Sequence, residues 1–157
     1  MNNTWQIRDG LIGLLLLILQ LVIFQHLPIL GGRPDLILVY LIWISTRISK
    51  FQTLIVVFVS SFLMDAAQDL WGLHMFSNTL LFLAGYEIIQ NFSGRRFIFW
   101  QIFLLLCAIA LIKYSIFLLL AGIASAYEVP SFTFTVVAVG ALYTALIGSL
   151  LDLLWKN

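Results

Sequence analysis

The hydrophobic positions of this chain form six long apolar runs, with polar residues concentrated in the short breaks between them. A membrane-spanning helix needs about 20 mainly apolar residues, or about 17 at the short end. The runs therefore predict a bundle of six transmembrane helices with no domain outside the membrane. The expected spans are about 10–27, 34–46, 53–70, 73–92, 97–124 and 132–155.

The composition supports an integral membrane protein. Of the 157 residues, 62% are hydrophobic and 10% are charged, whereas a soluble domain has about 25% charged residues. Because so few polar residues cannot coat a water-soluble globule, residues 1–157 are expected to form a single all-α transmembrane domain. The net charge is +1 and no basic stripe is present, which argues against nucleic-acid binding.

The second run is short for a span. Its apolar part, PDLILVYLIWIS, would form a helix of roughly 18 Å, against a hydrocarbon core of roughly 30 Å. We expect it to cross with little tilt, to thin the bilayer or to line a cavity. A re-entrant hairpin of runs two and three is disfavoured, because it would place Arg47 and Lys50 inside the bilayer.

The distribution of lysine and arginine predicts the orientation of the spans. With a cytoplasmic N-terminus, six of these residues fall on the cytoplasmic side, Arg33 falls outside and Lys113 lies within a span. The six are Arg8, Arg47, Lys50, Arg95, Arg96 and Lys156. This bias predicts that both termini are cytoplasmic.

Three charged residues fall at one depth in the outer half of the membrane. Counted from the inner ends of their spans, Asp65 lies about 20 Å deep, Asp69 about 25 Å and Lys113 about 24 Å. Because unpaired charges in a membrane are costly, we expect Lys113 to pair with Asp65, with Asp69 or with both. The alternative is that all three side chains extend separately to the outer headgroups.

Glu87 belongs to a different level, about 12 Å from the inner boundary. It cannot face Lys113 at that depth. We expect it either to contact a partner or to form a hydrogen bond with a neighbouring helix.

The sixth run carries a stripe of small residues. Gly140, Thr144 and Gly148 recur at a spacing of four, which places them on one helix face and permits close approach of another helix. We expect this contact to be internal. The alternative is an interface with a second copy of the chain or with a partner.

No sequence pattern predicts catalysis. There is no nucleophile with a base at usable spacing, no glycine-rich phosphate loop and no metal-binding motif. We therefore expect no enzymatic activity, no cofactor and no metal. Two classes remain: a scaffold whose helix faces dock other membrane proteins, and a small-molecule carrier subunit with a cavity open to the outside.

Two stretches carry a family resemblance. RPDLILVYLIWIS joins an arginine–proline break to an apolar helix that opens near an aspartate. FLMDAAQDLWGLHMFSNTLLFLAGY joins an apolar helix, an aspartate, a Leu-Gly-like pair and a helix that ends near a tyrosine. Both resemble MreD, the rod-shape-determining membrane protein family of bacteria. The matching positions are Arg33, Pro34, Asp35, Asp65 and Gly72. Trp71 stands in place of leucine, and Asp69 is an extra acid of this sequence.

The resemblance implies a function. MreD proteins are non-enzymatic parts of the lateral wall-elongation machinery in the cytoplasmic membrane. They associate with the single-span protein MreC, and through it with the MreB filament and with the glycan polymerase and transpeptidase of elongation. Their helical arrangement is similar to that of the vitamin-binding subunits of energy-coupling-factor transporters, which keeps the carrier alternative open. Homodimerisation also stays open.

The resemblance also implies roles for the matching positions. Arg33 and Pro34 would set the start of the second helix, where proline suits the first helical position. Gly72 would permit the turn between spans three and four. Asp65 would have an electrostatic or partner-binding role.

A reporter fused after the last residue tests the predicted orientation. A green fluorescent protein fusion is expected to fluoresce and an alkaline phosphatase fusion to be inactive, because the bias of positive residues places this end in the cytoplasm. A phosphatase fused after Gly31, in a predicted outer loop, provides the matched control and is expected to be active. Phosphatase activity at the C-terminus would contradict the even number of spans.

Overall fold

The computed structural model describes residues 3–28, 31–69, 72–93, 98–124 and 134–156. This part of the chain is all-α, with six α-helices and one short 3₁₀ turn after the first of them, Phe24–His26. The helices are α1 (Asn3–Val22), α2 (Leu36–Ser45), α3 (Lys50–Gln68), α4 (Leu73–Ser93), α5 (Phe99–Ala124) and α6 (Phe134–Lys156). The prediction of an all-α protein with six helices is confirmed.

Three helices in the described part are long and apolar enough to cross a membrane: α3, α5 over Phe99–Ile123, and α6 over Phe134–Leu153. Their outward faces carry exposed large apolar side chains, among them Phe58, Leu104 and Leu146. Apolar outward faces are expected where helices meet lipid instead of water. The chain is therefore a multi-pass membrane protein.

α2 is the central helix of the bundle. It packs against α1, α3, α4 and α6, and all of its residues except Ile42 and Trp43 are buried. A helix that is apolar all round is one that other elements surround. Its ten residues therefore reflect a position inside the protein, where neighbouring helices replace much of the lipid that a longer span would meet.

An extended segment, residues 31–35, leads into α2 and packs against α6. Pro34 is fully buried, and a Cβ atom on Gly32 would lie 2.6 Å from the backbone nitrogen of Gly140. Gly32 thus allows a contact between backbones that any side chain would prevent. Non-helical backbone is tolerated at membrane depth where protein surrounds it. The segment adds non-helical backbone to the roughly 15 Å that α2 provides.

Two helix boundaries differ from the expectation. α1 begins at Asn3, because the polar residues before the apolar run contain no helix breaker and continue the helix. The prediction that Pro34 is the first residue of the second helix is wrong. α2 begins at Leu36 and Asp35 is its N-cap, with a carboxylate oxygen that accepts the Leu38 N–H at 2.9 Å.

Tyr40 fixes α1 against α2. Its hydroxyl donates to the carbonyl oxygen of Asp9 at 3.2 Å. Its ring fills the space next to Gly13, where a Cβ atom would lie 2.4 Å from Tyr40 Cζ. Arg47, just beyond α2, brings its Nη1 to 3.9 Å from the Asp9 carboxylate.

The small-residue stripe of α6 packs inside the bundle. A Cβ atom on Gly140 would lie 3.3 Å from the Arg33 carbonyl oxygen, and one on Gly148 would lie 2.7 Å from Leu106 Cδ1 and 2.9 Å from Val39 Cγ2. Thr144, between the two glycines, is buried. The stripe thus meets the extended segment, α2 and α5.

Substitution of Gly148 by leucine tests this packing. The side chain would overlap Leu106 and Val39, and overpacking of this kind costs about 1–3 kcal/mol. Gly122→Leu on α5 is the matched control, because no side chain or neighbouring helix among the described residues lies within 4 Å of its Cβ position. In thermal unfolding in mild detergent, only Gly148→Leu should lose stability. Equal stability of the two variants would place the stripe against lipid.

Candidate functional site

A buried ion pair joins α5 to the start of α2. Lys113 has an exposed side-chain fraction of 0%, and its ammonium group contacts Oδ2 of Asp35, whose side chain is 5% exposed. The other carboxylate oxygen of Asp35 accepts the Leu38 N–H. Both oxygens are thus engaged, one in the ion pair and one in capping α2.

Side chains from three helices bind the backbone of the segment that contains Asp35. The Gln20 amide donates to the Pro34 carbonyl oxygen at 2.8 Å, and its own oxygen accepts the Leu36 N–H at 2.9 Å. This pair of bonds satisfies the chain on both sides of Asp35. Polar backbone groups without water must find such partners, because an unpaired group in a membrane costs several kcal/mol.

The α5 and α6 side of the segment is bound in the same way. The Tyr114 hydroxyl donates to the Arg33 carbonyl oxygen at 3.0 Å. The Asp35 N–H donates to the Thr144 hydroxyl oxygen at 2.9 Å, and that hydroxyl donates to the Gly140 carbonyl oxygen at 2.7 Å. We call Gln20, Asp35, Lys113, Tyr114 and Thr144 the polar lock. It holds a non-helical segment between α1, α5 and α6.

The structure corrects the pairing expected for Lys113. Asp65 does not form that pair: its two carboxylate oxygens accept the backbone N–H groups of His74 at 3.0 Å and Met75 at 2.8 Å. Both N–H groups lie in the first turn of α4, where the helix itself provides no acceptor for them. A carboxylate at this position also interacts favourably with the positive end of the helix dipole. Asp65 therefore caps α4 from α3 and fixes the α3–α4 hairpin.

Asp69 and Gly72 belong to the turn of that hairpin. Asp69 is exposed and is the C-cap of α3, with a φ of 56° in the left-handed region. Gly72 has a φ of 86°, which glycine adopts at little cost. Lys113 binds Asp35 and not Asp69. The prediction was wrong because it compared the depths of Asp65, Asp69 and Lys113 and left out Asp35, the acid at the start of α2.

Glu87 lies apart from both buried carboxylates. Its side chain is 82% exposed, and its Oε1 lies 3.6 Å from Nζ of Lys50, which is 44% exposed. An exposed pair of this kind contributes at most about 1 kcal/mol. The expected group of Asp65, Asp69 and Lys113 is thus divided between two sites, and Glu87, predicted at a different level, lies at a third.

The arrangement is structural in character and offers no set of metal ligands within the described ranges. His74 lies beside the hairpin turn, where its Nε2 is 3.2 Å from Gln68 Oε1 and its ring centroid is 4.8 Å from that of Phe117. Cys107 is a free, half-buried cysteine.

Sequence reasoning missed two residues of the polar lock, Gln20 and Tyr114. Gln20 is the one amide inside the apolar run LIGLLLLILQLVIF, and an isolated amide in a span is a usable signal of an internal hydrogen bond. Tyr114 gave no such signal, because tyrosine is common in membrane helices near the interface.

The fold and the site together define a multi-pass membrane protein in which a buried ion pair and its hydrogen bonds secure a non-helical segment. In comparisons with family models, curated proteins and solved structures, nothing matches this chain.

A double-mutant cycle tests the ion pair. Lys113→Met leaves a buried carboxylate without its partner, and such a change costs about 3–5 kcal/mol. Combination with Asp35→Asn should cost less than the sum of the two single changes, by about 0.5–3 kcal/mol.

The control cycle combines Lys113→Met with Asp65→Asn and should be additive. Unfolding in mild detergent measures both cycles. Additivity in the first cycle and coupling in the second would contradict the assignment of the ion pair to Asp35.

Proposed function

We propose that this chain is an MreD-type protein: a non-enzymatic scaffold of the bacterial cell-elongation complex that binds MreC and helps to regulate cell shape and lateral peptidoglycan synthesis. In this proposal the bundle has six spans with both termini cytoplasmic, in the cytoplasmic membrane. MreB and the wall polymerase and transpeptidase are indirect partners.

The location of the polar lock is the observation that carries the proposal. A carrier with an outward cavity needs free polar groups around an open space between its helices. Here the extended segment lies between α1, α5 and α6. Gln20, Thr144 and Tyr114 form hydrogen bonds with its backbone, and Lys113 pairs with the Asp35 carboxylate. The polar groups of the lock are thus engaged within the chain, and the lock offers no free group to a ligand.

The positions that resemble the MreD pattern add support. Asp35 anchors the start of α2, and Asp65 with Gly72 forms the α3–α4 hairpin. Both motifs thus fall where the bundle requires a particular polar group or a particular backbone conformation. This accounts for the motifs as determinants of architecture, and it leaves contact with partners to the outer helix faces.

Those outer faces fit lateral docking within the membrane. Large apolar side chains are exposed along α1, α3 and α6, for example Leu15, Phe62 and Leu150. Helices associate in lipid through close packing and interhelical hydrogen bonds. A single-span partner such as MreC offers one helix for this kind of contact.

Co-purification with MreC of the same bacterium tests the proposal. The tagged chain, extracted in mild detergent, should retain full-length MreC. It should not retain an MreC variant that lacks its membrane span, because the proposed contact is lateral. Mass spectrometry of the same preparation provides the opposing readout. A bound vitamin-like molecule without MreC would favour the carrier and overturn the scaffold.

A further inference from the structure

Glu87 is an exposed carboxylate on α4, whose opposite side is buried. In the proposed arrangement of six spans, α4 crosses the membrane. It lies six residues before the end of α4, about 9 Å inside that helix end. Three other acids in the described part, Asp9, Asp35 and Asp65, are buried. A carboxylate that faces lipid is costly unless a cation accompanies it.

The exposed residues around Glu87 form one continuous face. Leu80, Ala84, Glu87, Ile88 and Asn91 are all exposed, at the spacing that places residues on one side of a helix. We call these five residues the α4 face. Ala84 is the small residue at its centre, one turn before Glu87, and small residues allow another helix to approach closely.

The cation beside Glu87 is held loosely. Lys50 begins α3, is itself 44% exposed and lies 3.6 Å from the Glu87 carboxylate. An exposed lysine pair is weak and flexible. An arriving basic group can therefore share or replace Lys50 without loss of a buried interaction.

We propose that the α4 face docks the membrane helix of a single-span protein, and that a lysine or arginine at the cytoplasmic end of that helix pairs with Glu87. The charges favour this occupant. The predicted orientation places Glu87 near the cytoplasmic boundary, and single-span proteins carry their basic residues at that same boundary. The small-residue stripe of α6 is unsuited to this role, because it is filled from inside the bundle.

This inference rests on the proposed function and names the surface that the scaffold uses. Photo-crosslinking in living cells, with full-length MreC of the same bacterium as the probe, tests it directly. A photo-reactive amino acid is placed at Ala84 and, as matched controls on other lipid-facing surfaces, at Leu15 and Leu146, which are 59% and 50% exposed.

Position 84 should give an adduct with MreC that exceeds the two control positions by about tenfold, because only that position lies within reach of the docked helix. Adducts of equal yield at position 15 or 146, or no adduct at position 84, would overturn the α4 face. Co-purification distinguishes a failure of the α4 face from a failure of the scaffold proposal. If MreC is retained but crosslinks at another position, only the α4 face is overturned and the scaffold proposal remains.

A charge exchange separates pairing from mere proximity. Glu87→Lys, in the chain that carries the photo-reactive group at position 84, should reduce the adduct to the control level. Replacement of the basic residues at the cytoplasmic end of the MreC span by glutamate should restore it. Because Glu87 is exposed and its pair with Lys50 is weak, the substitution should change the stability of the isolated chain in thermal unfolding only slightly. An unchanged adduct with Glu87→Lys, or no recovery after the exchange, would refute the pairing.

Discussion

The ion pair between Lys113 and Asp35 is the interaction on which the rest of the bundle depends. It pairs two buried charges of opposite sign, and it joins the helix pair α5–α6 to the central helix α2. Burial of two charges is costly, and their attraction repays the cost only when further hydrogen bonds satisfy the remaining polar atoms. Gln20, Thr144 and Tyr114 provide such bonds to the segment around Asp35.

The same principle recurs in the α3–α4 hairpin with different chemistry. There the buried carboxylate of Asp65 has two backbone N–H groups as its partners instead of a cation. The two acids thus stabilise the starts of two helices, α2 and α4, one as a local cap and one across a turn. A chain with few charged residues thus uses two of its buried carboxylates, Asp35 and Asp65, to stabilise the starts of helices.

The hydrophobic pattern was sufficient to predict the helices, because five of the six apolar runs are long and the breaks between the runs are short. It did not predict the extended segment at residues 31–35, since non-helical backbone has no periodicity that distinguishes a buried segment from a surface loop. The comparison of depths therefore did not include Asp35, and Lys113 was assigned to the aspartates at its own depth. The MreD-like pattern singled out Asp35 and Asp65, but a pattern of residue types does not contain the contacts that define their roles.

The distance along the chain between the two charges of the ion pair has a consequence for biosynthesis. Asp35 and Lys113 are 78 residues apart, and a ribosome makes the acid first. While α2 leaves the insertion machinery, its counter-ion has not yet been translated, and Gln20 of α1 is the one side chain of the lock already available. The contact between α5 and the start of α2 can therefore form only after α5 has been translated.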